Sequence, residues 1–425
     1  MKKSVVSLRN SLIIMGTIFL FMTVLVLPTG FSAAATGVSP NQQSVYQKID
    51  SDFINNDAKL AKPLQFQKIP LKGIVDYSSY VTLTGNQDGW GGCIGRSIVH
   101  TMNILNEMKH PYTPDLSFWY LHVRQEQLAN GGPVNTKYLL ENYGLCPEAT
   151  LPSDYDKAAI VNGALQWGNM PMPNATVDAE ARIYKINLFS DPITPSVETM
   201  KYLLDKGPIL AEGKIVKIQG PNPTEGHCIT VVGYNDLTKS FKCLNSWGDT
   251  WGPHGNGYFD IGYDEVAANF TAIRYIEIGE SERLGTKDAF SARIWIDTQG
   301  AGRRNLTVAI GREGQGGKTV WDTPNKVNCV DNSNTLKIDV PMPQFAFTVK
   351  ENSARWYIEI TNHGYGPVKV KELTLARLVK NADGTTSTKL QKYPESDMSL
   401  GAQATVKYYF ANEMAQVLQR ANLAK

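Results

Sequence analysis

Gly85-Asn86-Gln87-Asp88-Gly89-Trp90-Gly91-Gly92-Cys93-Ile94-Gly95-Arg96-Ser97 places one cysteine where a glycine-rich turn gives way to an apolar-periodic segment. Beyond Cys93, apolar residues recur at Ile94, Ile98, Met102 and Leu105, with Val99 and Met108 beside them. That spacing is the buried face of a helix. Cys93 is therefore expected in a first helical turn, where unpaired backbone N–H groups and the macrodipole favour an anion. A thiol in that position loses its proton more readily, and the thiolate is the nucleophile. A lone cysteine is more often a small buried hydrophobe. Gly89, Gly91 and Gly92 point the other way, because they let a ligand or a second backbone approach closely.

The chain has 425 residues, which sets an expectation of two or three domains. Its 42% hydrophobic and 19% charged residues describe a globular protein and exclude wholesale disorder. A net charge of +2 gives no global signal for nucleic acid. Met1-Lys2-Lys3 and Arg9 form a basic start, Ser11 to Pro28 is almost wholly apolar, and Ser32-Ala33-Ala34-Ala35 supplies small residues for cleavage. This reads as a secretory signal peptide, with the mature chain secreted and not inserted in a membrane. Five cysteines are too few for a disulfide scaffold at this length, and the odd count leaves one thiol without an intramolecular partner. No spacing suggests a zinc site, and no cofactor is expected.

Read in order, residues 36–68 form a polar extension, and strand-like text begins at Ile69-Pro70. From Cys93 to about Tyr143 the chain is helix-rich, with Pro114-Asp115 as a cap region ahead of the second helix and Gly144 closing the third. Short strands follow at Ile209–Glu212, His227–Tyr234, Ser240–Leu244 and Gly257–Ile261, with Asn235-Asp236 as a hairpin turn. After about Glu280, alternating runs from Ala292 to Phe410 separated by turn residues predict an all-β sandwich.

A thiolate nucleophile needs a base, a group that orients the base, and donors for a developing oxyanion. Of six histidines, His227 stands at the start of an apolar run after Glu225-Gly226, and Asn245 ends the next strand. If the two strands pair as an antiparallel hairpin, His227 and Asn245 can lie opposite one another on one face, and Trp247 can shield their bond from water. Cys228 would then face away from His227 while Cys243 shares the face of Asn245, so those two cysteines do not form a disulfide. His100, His110, His122, His254 and His363 read as surface or structural, and the glycine-rich Gly311–Thr319 run lacks the pattern of a phosphate loop.

Together these residues resemble the papain-like cysteine peptidases over about residues 69–280. The matching pieces are Asn86-Gln87-x5-Cys93, Asn130-Gly131-Gly132, Gly226-His227 with its apolar strand, and Asn245-Ser246-Trp247-Gly248 with Trp251-Gly252 and Asn256-Gly257-Tyr258. The resemblance implies an α+β fold, with a helical lobe and a β lobe flanking a cleft. It implies that Cys93 attacks a peptide carbonyl, His227 acts as base and then acid, and Asn245 orients His227. Gln87 and the Cys93 N–H would hold the oxyanion. Gly131, Gly132, Pro133, Gly226 and Trp247 would contact a polypeptide substrate, with an apolar substrate residue beside Pro133. The expected order is a signal peptide at 1–35, an extension or short propeptide at 36–68, the peptidase-like domain at 69–280 and a β-sandwich at 285–425 with possible surface or glycan contact. Three departures stand out: Trp90 where the family has a disulfide-forming cysteine, Ile94 where it has tryptophan, and Arg96 in an apolar helix start, expected to partner a carboxylate. An amidase or transpeptidase on the same scaffold, an inactive binding homologue, and a carbohydrate-binding role led by the last region are the alternative readings.

Overall fold

The helix expected after the glycine turn forms at Cys93–Lys109 (α1), with Cys93 as its first residue and Gly92 as its N-cap. This is a computed structural model, and it describes residues 73–87, 92–129, 136–153, 159–161, 164–166, 172–253, 255–278, 289–314, 319–322, 327–328, 333–342, 355–380 and 386–410. The expected signal peptide and extension, Gly89 to Gly91, Gly131 to Val134 and His254 lie outside the described residues. Among the described residues, no helix is long and apolar enough to cross a membrane.

Ile94, Ile98, Val99 and Met102 of α1 are buried against a second helix, Phe118–Ala129 (α2), and a third, Thr136–Asn142 (α3). Close approach at the start of α1 depends on missing side chains. A Cβ on Gly92 would lie 2.3 Å from the Phe118 ring, and one on Gly95 would lie 2.9 Å from it. Gly144 ends α3 in the left-handed region at φ +73°, as its position in the sequence suggested. The cap of α2 differs from expectation. Ser117 Oγ, not Asp115, accepts the Tyr120 N–H at 3.0 Å, and Asp115 is committed elsewhere.

A six-stranded antiparallel sheet follows. Its strands are β1 (Ile74–Asp76), β2 (Ile209–Gly213), β3 (His227–Asn235), β4 (Ser240–Leu244), β5 (Tyr258–Gly262) and β6 (Ala272–Arg274). They run in the order β5-β4-β3-β2-β6, with β1 paired to the far end of β3. Cys228 belongs to the apolar cluster around α1, and Cys243 to the cluster on the other side of the sheet. Both are free thiols, in accord with the alternation of the strands. The three helices α1 to α3 precede most of this sheet, and every strand pairing in it is antiparallel, so the fold is α+β.

The C-terminal strands are β7 (Ala289–Asp297), β8 (Leu306–Glu313), β9 (Thr319–Asp322), β10 (Val327–Asn328), β11 (Thr335–Met342), β12 (Arg355–Asn362), β13 (Val368–Lys380), β14 (Thr386–Lys392), β15 (Met398–Leu400) and β16 (Ala404–Tyr409). They make two five-stranded antiparallel sheets, one ordered β11-β7-β13-β14 with β15 on β13, the other β9-β8-β12-β16 with β10 on β8. Alternate residues such as Ile294, Ile296, Val308, Ile310, Ile338, Ile358 and Ile360 fill one shared core. On β13 the buried set shifts from Val368 and Val370 to Leu373 and Leu375, because the register with β7 slips between Trp295 and Ile296. A bulge there keeps the strand facing the core on both sides of the extra residue.

All described residues lie within one compact unit, and the C-terminal sheets meet the helical region through buried charge. Arg293 of β7 bonds both oxygens of Asp339, at 2.8 and 2.5 Å, and Glu107 of α1 at 2.7 Å. Asp115 accepts from Asn103 at 3.2 Å, from the Asp339 N–H at 2.8 Å, and from Thr82. Burial pushes the carboxyls of Asp115 and Asp339 well up, and the Arg293 guanidinium pulls against that shift. Removing one partner from such a cluster strands the others in a dry interior. Arg293→Ala should therefore lower unfolding free energy by about 3–5 kcal/mol, measured by urea denaturation at neutral pH. A loss below about 1 kcal/mol would mean that water reaches Asp339 and Glu107.

Candidate active site

His227 is the first residue of β3 and is buried. On β4, Leu244 pairs with Thr230 and Cys243 with Val231, before the register slips at Val232. Continuing the pairing before the slip puts Asn245 across from Ile229, on the same face as His227 and one side-chain step from it along β3. The sequence placed the two residues opposite one another; they meet on the diagonal instead. His227 Nε2 lies 2.8 Å from Asn245 Oδ1. An amide oxygen only accepts, so Nε2 carries a proton and Nδ1 holds the lone pair of the neutral ring. Oδ1 also accepts the Ser246 N–H at 2.8 Å, and the Asn245 N–H donates to Gly257 O at 3.0 Å, which fixes the amide.

Trp247 covers this bond as the sequence suggested. Its ring centroid lies 5.2 Å from that of His227, and Trp251 meets it edge-on at 5.0 Å. Phe259 supports Trp251 in turn at 5.7 Å. Gly226 is exposed just ahead of His227.

Gln87 is positioned by the same loop. Its N–H donates to Ser246 O at 2.8 Å, and its Oε1 accepts from Ser246 Oγ. With Oε1 engaged, the NH2 end of the amide is the end turned away from Ser246. Two side chains of α1 hold the preceding residues. Arg96 Nη2 donates to Asn86 O at 3.1 Å while its guanidinium lies 4.3 Å over the Phe118 ring, and His100 Nε2 accepts the Gly85 N–H at 3.1 Å. Cys93, Arg96 and His100 are spaced i, i+3, i+7, so one face of the helix carries all three. That periodicity was the available signal for His100, and Ser246 had no such signal. Cys93 itself is 4% exposed at the head of α1, and Ile94 packs into the helical core.

Burial sets the charge state of the surroundings. It pushes His227 down to about 4 against the opposing bond to Asn245. It pushes His100 down to about 3, helped by the charges of Arg96 and Arg303. Glu148 accepts from the Ser153 N–H and Oγ; burial drives it up to about 7, and Arg96 and Arg303 pull the other way. Arg96 donates to the Asn86 carbonyl, and its charge opposes the upward shift of Glu148. Among the described residues, no three His, Cys, Asp or Glu side chains are grouped so as to hold a metal ion.

The chain matches no protein-family model. A stretch of 42 residues is 48% identical to an uncharacterized peptidase C1-like protein of Acanthamoeba polyphaga mimivirus, covering 10% of this chain and 13% of that protein's length. Among solved structures, xylellain, a cysteine protease from Xylella fastidiosa, is 19% identical over 50% of this chain and 88% of its own, with TM-score 0.42. Digestive procathepsin L 3 of Tenebrio molitor is 18% identical over 54% and 79%, with TM-score 0.41. Bromelain from Ananas comosus is 17% identical over 50% and 100%, with TM-score 0.37. The chain resembles the papain-like cysteine peptidases.

The bond from Asn245 favours the charged ring, so its removal has a defined sign. In Asn245→Ala, the His227 midpoint should fall below about 4 in a ring-proton NMR titration. Because the folded value lies below the ordinary 6.5, the stability His227 contributes is present above pH 6.5 and lost as pH falls towards 4. The variant extends that loss to lower pH. An unchanged midpoint would show that the amide does not govern the ring.

Proposed function

We propose that the chain is a secreted papain-like cysteine peptidase, with a helical lobe and a β lobe at 69–280 and a β-sandwich at 285–425. The observation that carries this reading is the 2.8 Å bond from His227 to Asn245 under Trp247, in a fold that places Cys93 at a helix start and Gln87 against Ser246. Histidine with Nε2 protonated offers Nδ1 as the base. In the proposed cycle Nδ1 takes the Cys93 proton, and the thiolate attacks the carbonyl carbon of a peptide bond. The NH2 of Gln87 and the Cys93 N–H receive the developing oxyanion. As the C–N bond breaks, His227 returns the proton to the leaving amine, and water then hydrolyses the thioester by the same route. Burial alone would keep His227 neutral near pH 7, so the imidazolium state relies on the neighbouring thiolate and on Asn245.

Polypeptide substrates are the expected ligands, and Gly131, Gly132 and Pro133 are the residues that the family resemblance assigns to substrate contact. The test is covalent labelling of the chain from residue 36 onward with an epoxysuccinyl peptide under reducing conditions, read by intact mass and peptide mapping. One adduct at Cys93 is expected, absent in Cys93→Ala and slowed by roughly 100-fold or more in His227→Ala. A native chain that leaves Cys93 unmodified, while the denatured chain reacts, would overturn the reading.

A further inference from the structure

The turn that carries Gln87 is gripped from outside the helical region. Leu83, two residues ahead of Gly85, is buried in the core shared by the C-terminal sheets. Beyond Trp247, the Asp249 carboxylate accepts the Asn334 N–H on Oδ1 at 2.6 Å and the Thr335 N–H on Oδ2 at 2.7 Å. Asn334 and Thr335 stand at the start of β11, an edge strand whose first amides have this carboxylate as acceptor. Their carbonyl side is held by Arg303, a buried side chain whose Nη1 donates to Thr335 O at 3.1 Å and whose N–H donates to Ser333 O at 2.8 Å. Gly248 leaves room for this junction, since a Cβ there would lie 3.0 Å from Ser333 Oγ, and its φ is +81°.

Between these two anchors run two short segments joined to each other. Gly248 N–H donates to Gly85 O at 3.2 Å, and Gln87 N–H donates to Ser246 O at 2.8 Å. In the family it resembles, the turn before the nucleophile is tied by a disulfide, and this chain has Trp90 at that position. The two-oxygen grip of Asp249 holds instead the Ser246–Gly248 segment, which bonds Gly85 and Gln87.

We infer that Asp249 is a positioning residue for the Gln87 amide: by fixing the Ser246–Gly248 turn to the start of β11, it makes the C-terminal sheets part of the oxyanion site. The inference rests on the peptidase reading. Misplacing a single oxyanion donor by about an ångström costs roughly 10- to 100-fold in the chemical step. It leaves ground-state binding and thiol chemistry nearly untouched, which separates this role from general support of the fold.

The test compares the full chain with Asp249→Ala, Asp249→Asn and Ile360→Val, the last a one-methylene deletion in the C-terminal core on β12. Each is measured for hydrolysis of a peptide amide, inhibition by a peptide aldehyde, Cys93 alkylation by iodoacetamide, and thermal midpoint. For Asp249→Ala we expect kcat and aldehyde affinity to fall together by roughly 10- to 100-fold, with KM and the iodoacetamide rate within about 3-fold of the parent. Asp249→Asn should fall between them, since it keeps one acceptor and turns an NH2 towards a backbone N–H. Ile360→Val should lower the thermal midpoint and leave the kinetic constants unchanged. Parental kcat and aldehyde affinity in Asp249→Ala would overturn the inference, as would an equal kinetic loss in Ile360→Val. A parent chain whose Cys93 resists both iodoacetamide and epoxysuccinyl peptide would instead overturn the peptidase reading beneath it.

Discussion

Two backbone hydrogen bonds, from Gln87 N–H to Ser246 O and from Gly248 N–H to Gly85 O, join segments about 160 residues apart in sequence. Closing so long a loop costs conformational entropy that two hydrogen bonds of about 1 kcal/mol each do not offset. The ladder therefore depends on what surrounds it. Arg96 and His100 hold the 85–86 side from α1, while Gly257 O fixes Asn245 from β5's lead-in.

Interior charge is handled in two different ways. Around α1 the arginine at position 96 has neutral neighbours: His100 and His122 are driven down by burial and by its own charge, so neither adds a second cation. At the junction with the C-terminal sheets, one arginine bonds the carboxyls of Glu107 and Asp339, and burial pushes Asp339 and the nearby Asp115 up. Such a cluster tolerates no sliding of one region past the other, because any displacement separates ions in a low-dielectric interior.

Local periodicity carried much of the site into view from sequence. The Cys93 helix, the hairpin that brings His227 to Asn245, and the alternating C-terminal strands all follow from period 3.6 or period 2 within a short window. What escaped were residues whose partners lie far away in the chain. Asp115 looked like a helix cap because Asp ahead of an apolar run usually is one, yet it serves Asp339 across 224 positions. Nothing near Asp249 in sequence announces its bonds to Asn334 and Thr335. The diagonal register of His227 and Asn245 was also hidden, since the slip at Val232 sets which residues face one another and no propensity encodes it.

Among the described residues, the other thiols differ from Cys93 in setting. Cys146 and Cys243 are fully buried, and burial pushes both thiols well up, with nearby carboxylates adding to the shift. A thiolate at either position would be an uncompensated charge in an apolar core, so both stay protonated and slow to react. Cys228 is equally buried, next in chain to His227 but turned to the opposite side of β3 by the pleat. Geometry thus separates the thiol nearest in sequence to His227 from the imidazole itself. Cys93 differs in kind: it stands at a helix N-terminus, where amide dipoles favour the anion, in the part of the fold that also carries the Gln87 turn. Chemical selectivity among these thiols is set by where the backbone ends a turn and begins a helix.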